Sequence, residues 1–158
     1  MLTMFSISEI IALAVEIEKN AEETYRRAMD QSRNPEVKAL LLWMANEEKD
    51  HATWFNTLKD EIDKHQDLPS DKTMEMDGDF IGDLMEKQSF FLGDTDLTII
   101  KDKNKLNEIF IEFENDTILF YEMIKTFITH APTIKHLEKI IEEENTHIKQ
   151  LDKISHLD

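Results

Sequence analysis

The chain contains no cysteine, and this absence removes several classes of chemistry. Disulfide bonds, thiolate catalysis, zinc ribbons and cysteine-ligated iron–sulfur or rubredoxin centres all require a thiol. Any metal that this chain holds must therefore be bound by oxygen and imidazole ligands.

Basic residues and uninterrupted apolar runs are also scarce. Thirty-four acidic residues outnumber eighteen basic ones, which gives a formal charge of -16. Such a charge repels nucleic acid and anionic membranes and attracts cations, so we expect neither of the former as a partner. The apolar N-terminal stretch lacks a basic start and is interrupted by Glu9 and Glu16, which is typical of neither a signal peptide nor a membrane span. We therefore expect a cytoplasmic protein.

Glycine and proline are few, and their positions indicate the organisation of the chain. Pro35 and Pro132 stand between helical patterns, whereas all three glycines fall between about residues 66 and 103. Asn34 followed by Pro35 is typical of a helix start, and Ser6 or Ser8 is suited to cap the first helix.

These breaks divide the chain into two pairs of long helices. A chain of 158 residues with 41% hydrophobic residues is large enough for one domain with its own core. We predict a single all-α domain over residues 1–158, a four-helix bundle with helix pairs at about 6–65 and 104–155. A long crossover at about 66–103 joins the pairs and has room for a short extra helix.

A Glu-x-x-His pattern occurs twice, as Glu48 with His51 in NEEKDH and as Glu144 with His147 in EEENTH. In both helices the pair interrupts a stripe of apolar residues that are spaced three and four apart and face the core. Positions three apart on a helix differ by about 300° and about 4.5 Å, so both side chains can reach one point beside the helix. This spacing is suited to two ligands of one metal.

The first and third helices repeat a second pattern. Each has a glutamate on its core-facing stripe and a tyrosine seven residues later. The motif residues of the second half lie 96 positions after those of the first half. This common offset indicates a degenerate two-fold repeat. The first set is Glu18, Tyr25, Glu48 and His51, and the second is Glu114, Tyr121, Glu144 and His147.

A bundle packed on these stripes places four carboxylates and two imidazoles in an apolar interior. Burying several like charges without compensation costs several kcal/mol for each ion. Two divalent cations would balance four carboxylates, and a mixed shell of oxygen and nitrogen suits iron or manganese, with zinc as a substitute. The sequence therefore predicts a dinuclear carboxylate site.

On these motifs the sequence resembles the ferritin-like di-iron carboxylate proteins, and among them the rubrerythrin-type branch. The resemblance implies two iron ions, each with a terminal Glu and His, and two bridging glutamates. It assigns Glu18 and His51 to one metal, Glu114 and His147 to the other, and Glu48 and Glu144 to the bridges. Two features depart from rubrerythrins: Thr117 stands where they carry a further glutamate, and the rubredoxin module is absent.

The resemblance also implies a function. We expect an oxidoreductase that reduces hydrogen peroxide or dioxygen while a buried Fe(II) pair is oxidised, in defence against oxidative stress. Its electrons would come from a separate donor protein or from fresh Fe(II), and the protein would form a homodimer or a higher homo-oligomer. The alternatives are iron sequestration through a ferritin-type ferroxidase site and a non-catalytic interaction module stabilised by metal.

Two further pairs of side chains lie near the predicted ligands. Tyr25 and Tyr121 could donate to the site carboxylates, relay a radical or simply fill the core. Glu47 and Glu143 lie one turn before the histidines and could orient them, although we expect both on the solvated surface.

Overall fold

The computed structural model describes residues 2–64, 74–77 and 103–154, and within these ranges four long helices dominate. The helix α1 packs along α2, and α3 packs along α4. The predicted all-α four-helix arrangement is confirmed, whereas the single-domain organisation stays a prediction. The helices are α1 Ile7–Gln31, α2 Pro35–Lys64, α3 Lys103–Thr126 and α4 Ala131–Ile154.

The starts of the first two helices follow from local side-chain chemistry. The Ser6 hydroxyl caps α1 by accepting a hydrogen bond from the backbone N–H three residues later, at 3.1 Å. Asn34 accepts from the N–H two residues later at 2.9 Å, and Pro35 occupies the first position of α2. Ser8, the other candidate cap, instead donates to Asp63 at 2.6 Å and joins the start of α1 to the end of α2.

The helix α3 ends at Thr126, and four residues separate it from the start of α4 at Ala131. The Phe127 N–H donates to the carbonyl of Ile124 at 3.0 Å, so the last turn tightens to a three-residue spacing. This tighter turn ends the helix and leads to the short connection before α4.

A two-stranded antiparallel sheet is an addition to the predicted architecture. The strand β1, Leu2–Phe5, pairs with β2, Met74–Asp77, and Phe5 lies opposite Met74. The sheet thereby joins the chain start to the segment between the helix pairs. The short extra helix predicted within 66–103 lies outside the described residues.

The core is filled unequally by the four helices. The helix α1 contributes small residues such as Ala14 and Ala21, whereas α3 contributes large aromatic rings. Alanines on α1 leave volume for these rings. No helix in the described part of the chain is long and apolar enough to span a membrane. The fully buried aromatic side chains are Tyr25, Phe55, Phe110, Phe113, Phe120 and Tyr121.

Candidate metal centre

All six predicted ligands lie in the interior of the bundle. Five of them are 0% exposed, and His51 is 4% exposed. One glutamate comes from α1 and one from α3, while α2 and α4 each supply a Glu and a His from one face. The residues are Glu18, Glu48, His51, Glu114, Glu144 and His147.

The six side chains form two overlapping groups. Within each group, one ligand atom from every residue lies within 4.8 Å of the others. Glu48 and Glu144 belong to both groups, so the structure offers two adjacent coordination positions that share two carboxylates. One group is Glu18, Glu48, His51 and Glu144, and the other is Glu48, Glu114, Glu144 and His147.

Both histidines turn the same ring nitrogen towards the carboxylates. The Nδ1 of His51 lies 2.8 Å from Glu144 Oε1 and 3.6 Å from Glu18 Oε2. The Nδ1 of His147 lies 3.1 Å from Glu48 Oε1. In each ring the Nε2 faces away from the cluster, which leaves Nδ1 as the atom available to a metal.

Many polar atoms of the cluster have no hydrogen-bond partner among the described residues. These include both Nδ1 atoms, both oxygens of Glu48 and Glu144, and one oxygen each of Glu18 and Glu114. The close contact between His51 and Glu144 brings opposite charges together without hydrogen-bond alignment. A buried polar atom without a partner costs about 1–3 kcal/mol. Because these atoms converge from several helices, the donor set fits a pair of divalent cations.

Without metal, three carboxylates of the cluster, those of Glu48, Glu114 and Glu144, differ in the direction of their pKa shifts. Burial raises the pKa of Glu48 and of Glu114 well above the usual range, and the negative charge of Glu144 adds to the effect. Burial also acts to raise the pKa of Glu144, but its close contacts with the Glu114 and His147 side chains outweigh burial and lower that pKa. In the metal-free protein the surroundings of Glu48 and Glu114 therefore favour the protonated form, whereas those of Glu144 favour the ionised form.

The two histidines are drawn towards the charged form. Burial acts to lower the pKa of His51, but the charge of Glu18, the hydrogen bond with Glu143 and the close contact with Glu144 raise it overall. The pKa of His147 is also raised overall, because its close contacts with the surrounding carboxylates outweigh burial. Protons thus compensate the buried charge in the metal-free protein, and a metal that binds must displace them.

The two tyrosines hydrogen-bond to carboxylates of the opposite half. The Tyr25 hydroxyl donates to Glu114 Oε1, and the Tyr121 hydroxyl donates to Glu18 Oε1. Burial, together with these negative charges, raises the pKa of both tyrosines, so both hydroxyls keep their protons and act as donors. This geometry fits the donor alternative better than simple core filling.

The expectation that Glu47 and Glu143 lie on the solvated surface is wrong. Glu143 Oε2 lies 3.1 Å from the Nε2 of His51, and Glu47 Oε1 lies 3.0 Å from the Nε2 of His147. Because the carboxylates reach from α2 to α4 and back, each histidine is contacted by the helix opposite its own. The offset of 96, which also relates these two glutamates, was the available sequence signal.

Comparison with known proteins identifies the family of this chain. A family model described as Rubrerythrin matches residues 9–155. The chain belongs to the rubrerythrin family. The resemblance seen in the sequence is thereby confirmed, and no curated protein matches this rubrerythrin-family chain.

A structural match supports the same fold. The crystal structure of a proposed ferritin-like diiron-carboxylate protein from Thermotoga maritima superposes with a TM-score of 0.75 and 23% sequence identity. The match covers 98% of this rubrerythrin-family chain and 97% of the other. At this level of identity the similarity shows the ferritin-like fold alone.

Proposed function

We propose that this chain is a di-iron oxidoreductase that reduces hydrogen peroxide or dioxygen, in cytoplasmic defence against oxidative stress. The observation that carries the proposal is the pair of overlapping ligand groups that share Glu48 and Glu144 in a buried interior. Membership of the rubrerythrin family supports the same conclusion.

The proposed ligand roles follow from how the two groups overlap. Residues present in one group are assigned to one iron, and the two shared residues are assigned to both. The four carboxylates balance the charge of two Fe(II) ions, and manganese or zinc are substitutes with similar ligands. Glu18 and His51 would hold one iron, Glu114 and His147 the other, and Glu48 and Glu144 would bridge.

An iron pair, when bound, supplies two electrons, one from each Fe(II), which together with two protons convert one hydrogen peroxide molecule into two waters. The chain itself positions the carboxylates and shields them from solvent. The hydroxyls of Tyr25 and Tyr121 hold one oxygen of each terminal glutamate. The rings of Phe110 and Phe55 pack against these tyrosines at centroid distances of 5.0 and 5.1 Å and help to keep water out.

The electrons must be replaced from outside the chain. A sequence without cysteine cannot hold a rubredoxin-type centre, so the proposal requires a separate donor protein or fresh Fe(II). The homodimer or higher homo-oligomer expected from the resemblance stays a prediction.

Thr117 favours a second candidate function, iron sequestration through a ferritin-type ferroxidase site with Fe(II) as the substrate. This residue is fully buried, and its hydroxyl donates to the backbone carbonyl of Phe113 at 2.9 Å. The position therefore adds no carboxylate to the site, where the rubrerythrin pattern described above has one.

Stopped-flow oxidation of the diferrous protein tests the two candidates. We expect faster oxidation by peroxide than by dioxygen at matched concentrations, and repeated turnover when a reductant is supplied. A preference for dioxygen, with iron retained far above two ions per chain, would favour sequestration. Bound iron that reacts with neither oxidant would indicate a structural metal pair in an interaction module.

The variant Thr117→Glu tests whether the missing carboxylate sets the choice of oxidant. We expect it to increase the ratio of the peroxide rate to the dioxygen rate. Thr117→Gln is the matched control, because the glutamine side chain has nearly the same size as glutamate but carries no charge. An equal change in both variants would attribute the effect to altered packing.

A further inference from the structure

The outer ring nitrogens of the two histidines show a reciprocal arrangement. His51 on α2 meets Glu143 of α4 at 3.1 Å, and His147 on α4 meets Glu47 of α2 at 3.0 Å. Each of these glutamates immediately precedes a shared carboxylate of the candidate site. The two helices that carry Glu-x-x-His are therefore joined by two symmetrical contacts as well as by the cluster itself.

We propose that Glu47 and Glu143 are positioning residues, each of which fixes the metal-facing histidine of the opposite helix. The inference rests on the proposed di-iron function. A carboxylate that accepts from Nε2 keeps the proton on that nitrogen, which leaves the lone pair of Nδ1 directed at the site. It also fixes the rotation of the ring, because both ring nitrogens then have fixed neighbours.

The crossing determines which metal position each glutamate affects. Glu47 lies on the helix that carries His51, yet it contacts His147. Its removal should therefore disturb the metal position served by His147 and spare the one served by its own helix. Glu143 should show the reverse, through His51. Contacts within one helix would give the opposite pattern, so the two alternatives are experimentally distinct.

The surroundings of the two glutamates predict effects of unequal size. The Glu47 side chain is 19% exposed, whereas that of Glu143 is 31% exposed and lies 4.0 Å from the amine of Lys139. The ring of Trp43 packs edge-on against His147 at a centroid distance of 5.1 Å. Water can therefore replace the Glu143 carboxylate more easily than the Glu47 carboxylate. We expect metal affinity to fall about 100-fold in Glu47→Ala and about 10-fold in Glu143→Ala.

Proton NMR of the protein loaded with Co(II) tests the crossing directly. A histidine bound to paramagnetic cobalt gives a strongly shifted, solvent-exchangeable signal from its remaining ring N–H, so the wild type should show two such signals. The variant His51→Gln removes one signal and thereby assigns both. We expect Glu47→Ala to accelerate solvent exchange at the His147 N–H alone, and Glu143→Ala to do so at the His51 N–H alone.

Matched variants separate positioning from charge and from folding. Glu142→Ala removes a neighbouring exposed carboxylate and should leave both signals unchanged. Glu47→Gln keeps an acceptor oxygen and should restore most of the slow exchange. Circular dichroism of each metal-free variant confirms that it folds, and chelator competition measures its affinity for Co(II).

Three outcomes would overturn the inference. A change at the histidine of the same helix, unchanged signals in both alanine variants, or a Glu47→Gln variant that behaves like Glu47→Ala would each contradict crossed positioning. A wild-type chain that binds no Co(II) would instead show that the proposed di-metal function itself is wrong. The two failures are therefore distinguishable.

Discussion

The two halves of the bundle, α1 with α2 and α3 with α4, repeat the residues of the candidate site faithfully and the apolar residues of α1 and α3 poorly. Every candidate ligand, both tyrosines and both outer glutamates recur at an offset of 96. Two buried alanines on α1 correspond to much larger residues on α3, whereas α2 and α4 repeat their apolar residues closely, as at Leu41 and Leu137. A metal site needs particular atoms at particular places, whereas a core needs only filled volume, which different residues can supply. The contrasting pairs are Ala14 with Phe110 and Ala28 with Ile124.

The halves also interlock at the site instead of standing side by side. Tyr25 of the first half donates to Glu114 of the second, and Tyr121 of the second half donates to Glu18 of the first. The outer glutamates cross between the halves in the same manner. Neither half therefore has a complete set of contacts alone, and each variant below tests whether corresponding positions are equivalent.

The largest difference between the halves is expected in the core. Phe110→Ala should lower the free energy of unfolding by about 3–5 kcal/mol, because it leaves a cavity beside the Tyr25 ring. The corresponding change on α1, Ala14→Gly, should cost only about 1–2 kcal/mol, through added backbone freedom and the loss of one buried methyl group. Urea unfolding of the metal-free proteins measures both. Similar losses at the two positions would mean that the halves share the core equally.

Substitution of the shared carboxylates tests whether the halves contribute equally to the centre. Glu48→Ala and Glu144→Ala should each weaken both metal positions, whereas His51→Ala should chiefly weaken one. At free metal 100-fold above Kd, binding stabilises a protein by about 2.7 kcal/mol, so loss of a position should be visible in Tm. Elemental analysis after desalting gives the metal count. Equal, small losses in all three variants would rule out the bridging role.

Removal of the tyrosine hydroxyls should have smaller and nearly equal effects. Tyr25→Phe and Tyr121→Phe each leave one buried carboxylate oxygen without its donor, which typically costs about 1–3 kcal/mol. Thermal unfolding of the metal-loaded proteins measures the losses, and Phe113→Leu serves as a packing control without a hydroxyl. A marked inequality between the two tyrosine variants would show that the crossed hydrogen bonds are not equivalent.

The smallest predicted effect is a dependence of metal stabilisation on pH. The raised pKa values of Glu48, Glu114, His51 and His147 stabilise the metal-free fold below the unfolded-state values. This stabilisation is lost as pH rises through the raised folded-state values. Glu144, with its lowered pKa, contributes in the opposite sense, as stability lost when pH falls through its folded value. Because the change from Glu144 lies below its unfolded-state value, only the raised groups alter stability from mildly acidic to neutral pH, and the metal-free bundle should weaken there.

Metal binding reverses this dependence, because the ligands must lose their protons. The difference in Tm between metal-loaded and metal-free protein should therefore grow from mildly acidic to neutral pH, by about 3 °C for each 1 kcal/mol. High salt screens the exposed charges and isolates the buried contribution. A difference that stays flat with pH, with metal bound throughout, would contradict a buried proton-exchanging cluster.

The helices and the membership of the buried cluster were predictable from the sequence, because both follow from spacing along one helix. Apolar residues spaced three and four apart place Glu18 and Glu48 on the core-facing sides of their helices. The helix caps at Ser6 and Asn34 also lie where the sequence predicts them. The β1–β2 pairing was not predictable, since four-residue strands are too short to show a clear alternation.

The crossed contacts were also beyond the sequence patterns. Periodicity shows which face of a helix is buried, but it does not show which neighbouring helix a long side chain will reach. Glu47 and Glu143 sit at the edge of the core-facing stripe, where the sequence favours solvent. The close approach of α2 and α4 at the site decides instead, because it places each carboxylate against the opposite histidine.

The most direct test of the account is the number of metal ions that one chain holds. Protein prepared anaerobically with excess Fe(II), and then desalted, should retain about two iron ions per chain, because two groups of four buried ligands share Glu48 and Glu144. Elemental analysis with a protein assay gives this ratio without any assumption about activity. At most one ion per chain would contradict the paired site, and with it the equivalence of the two halves.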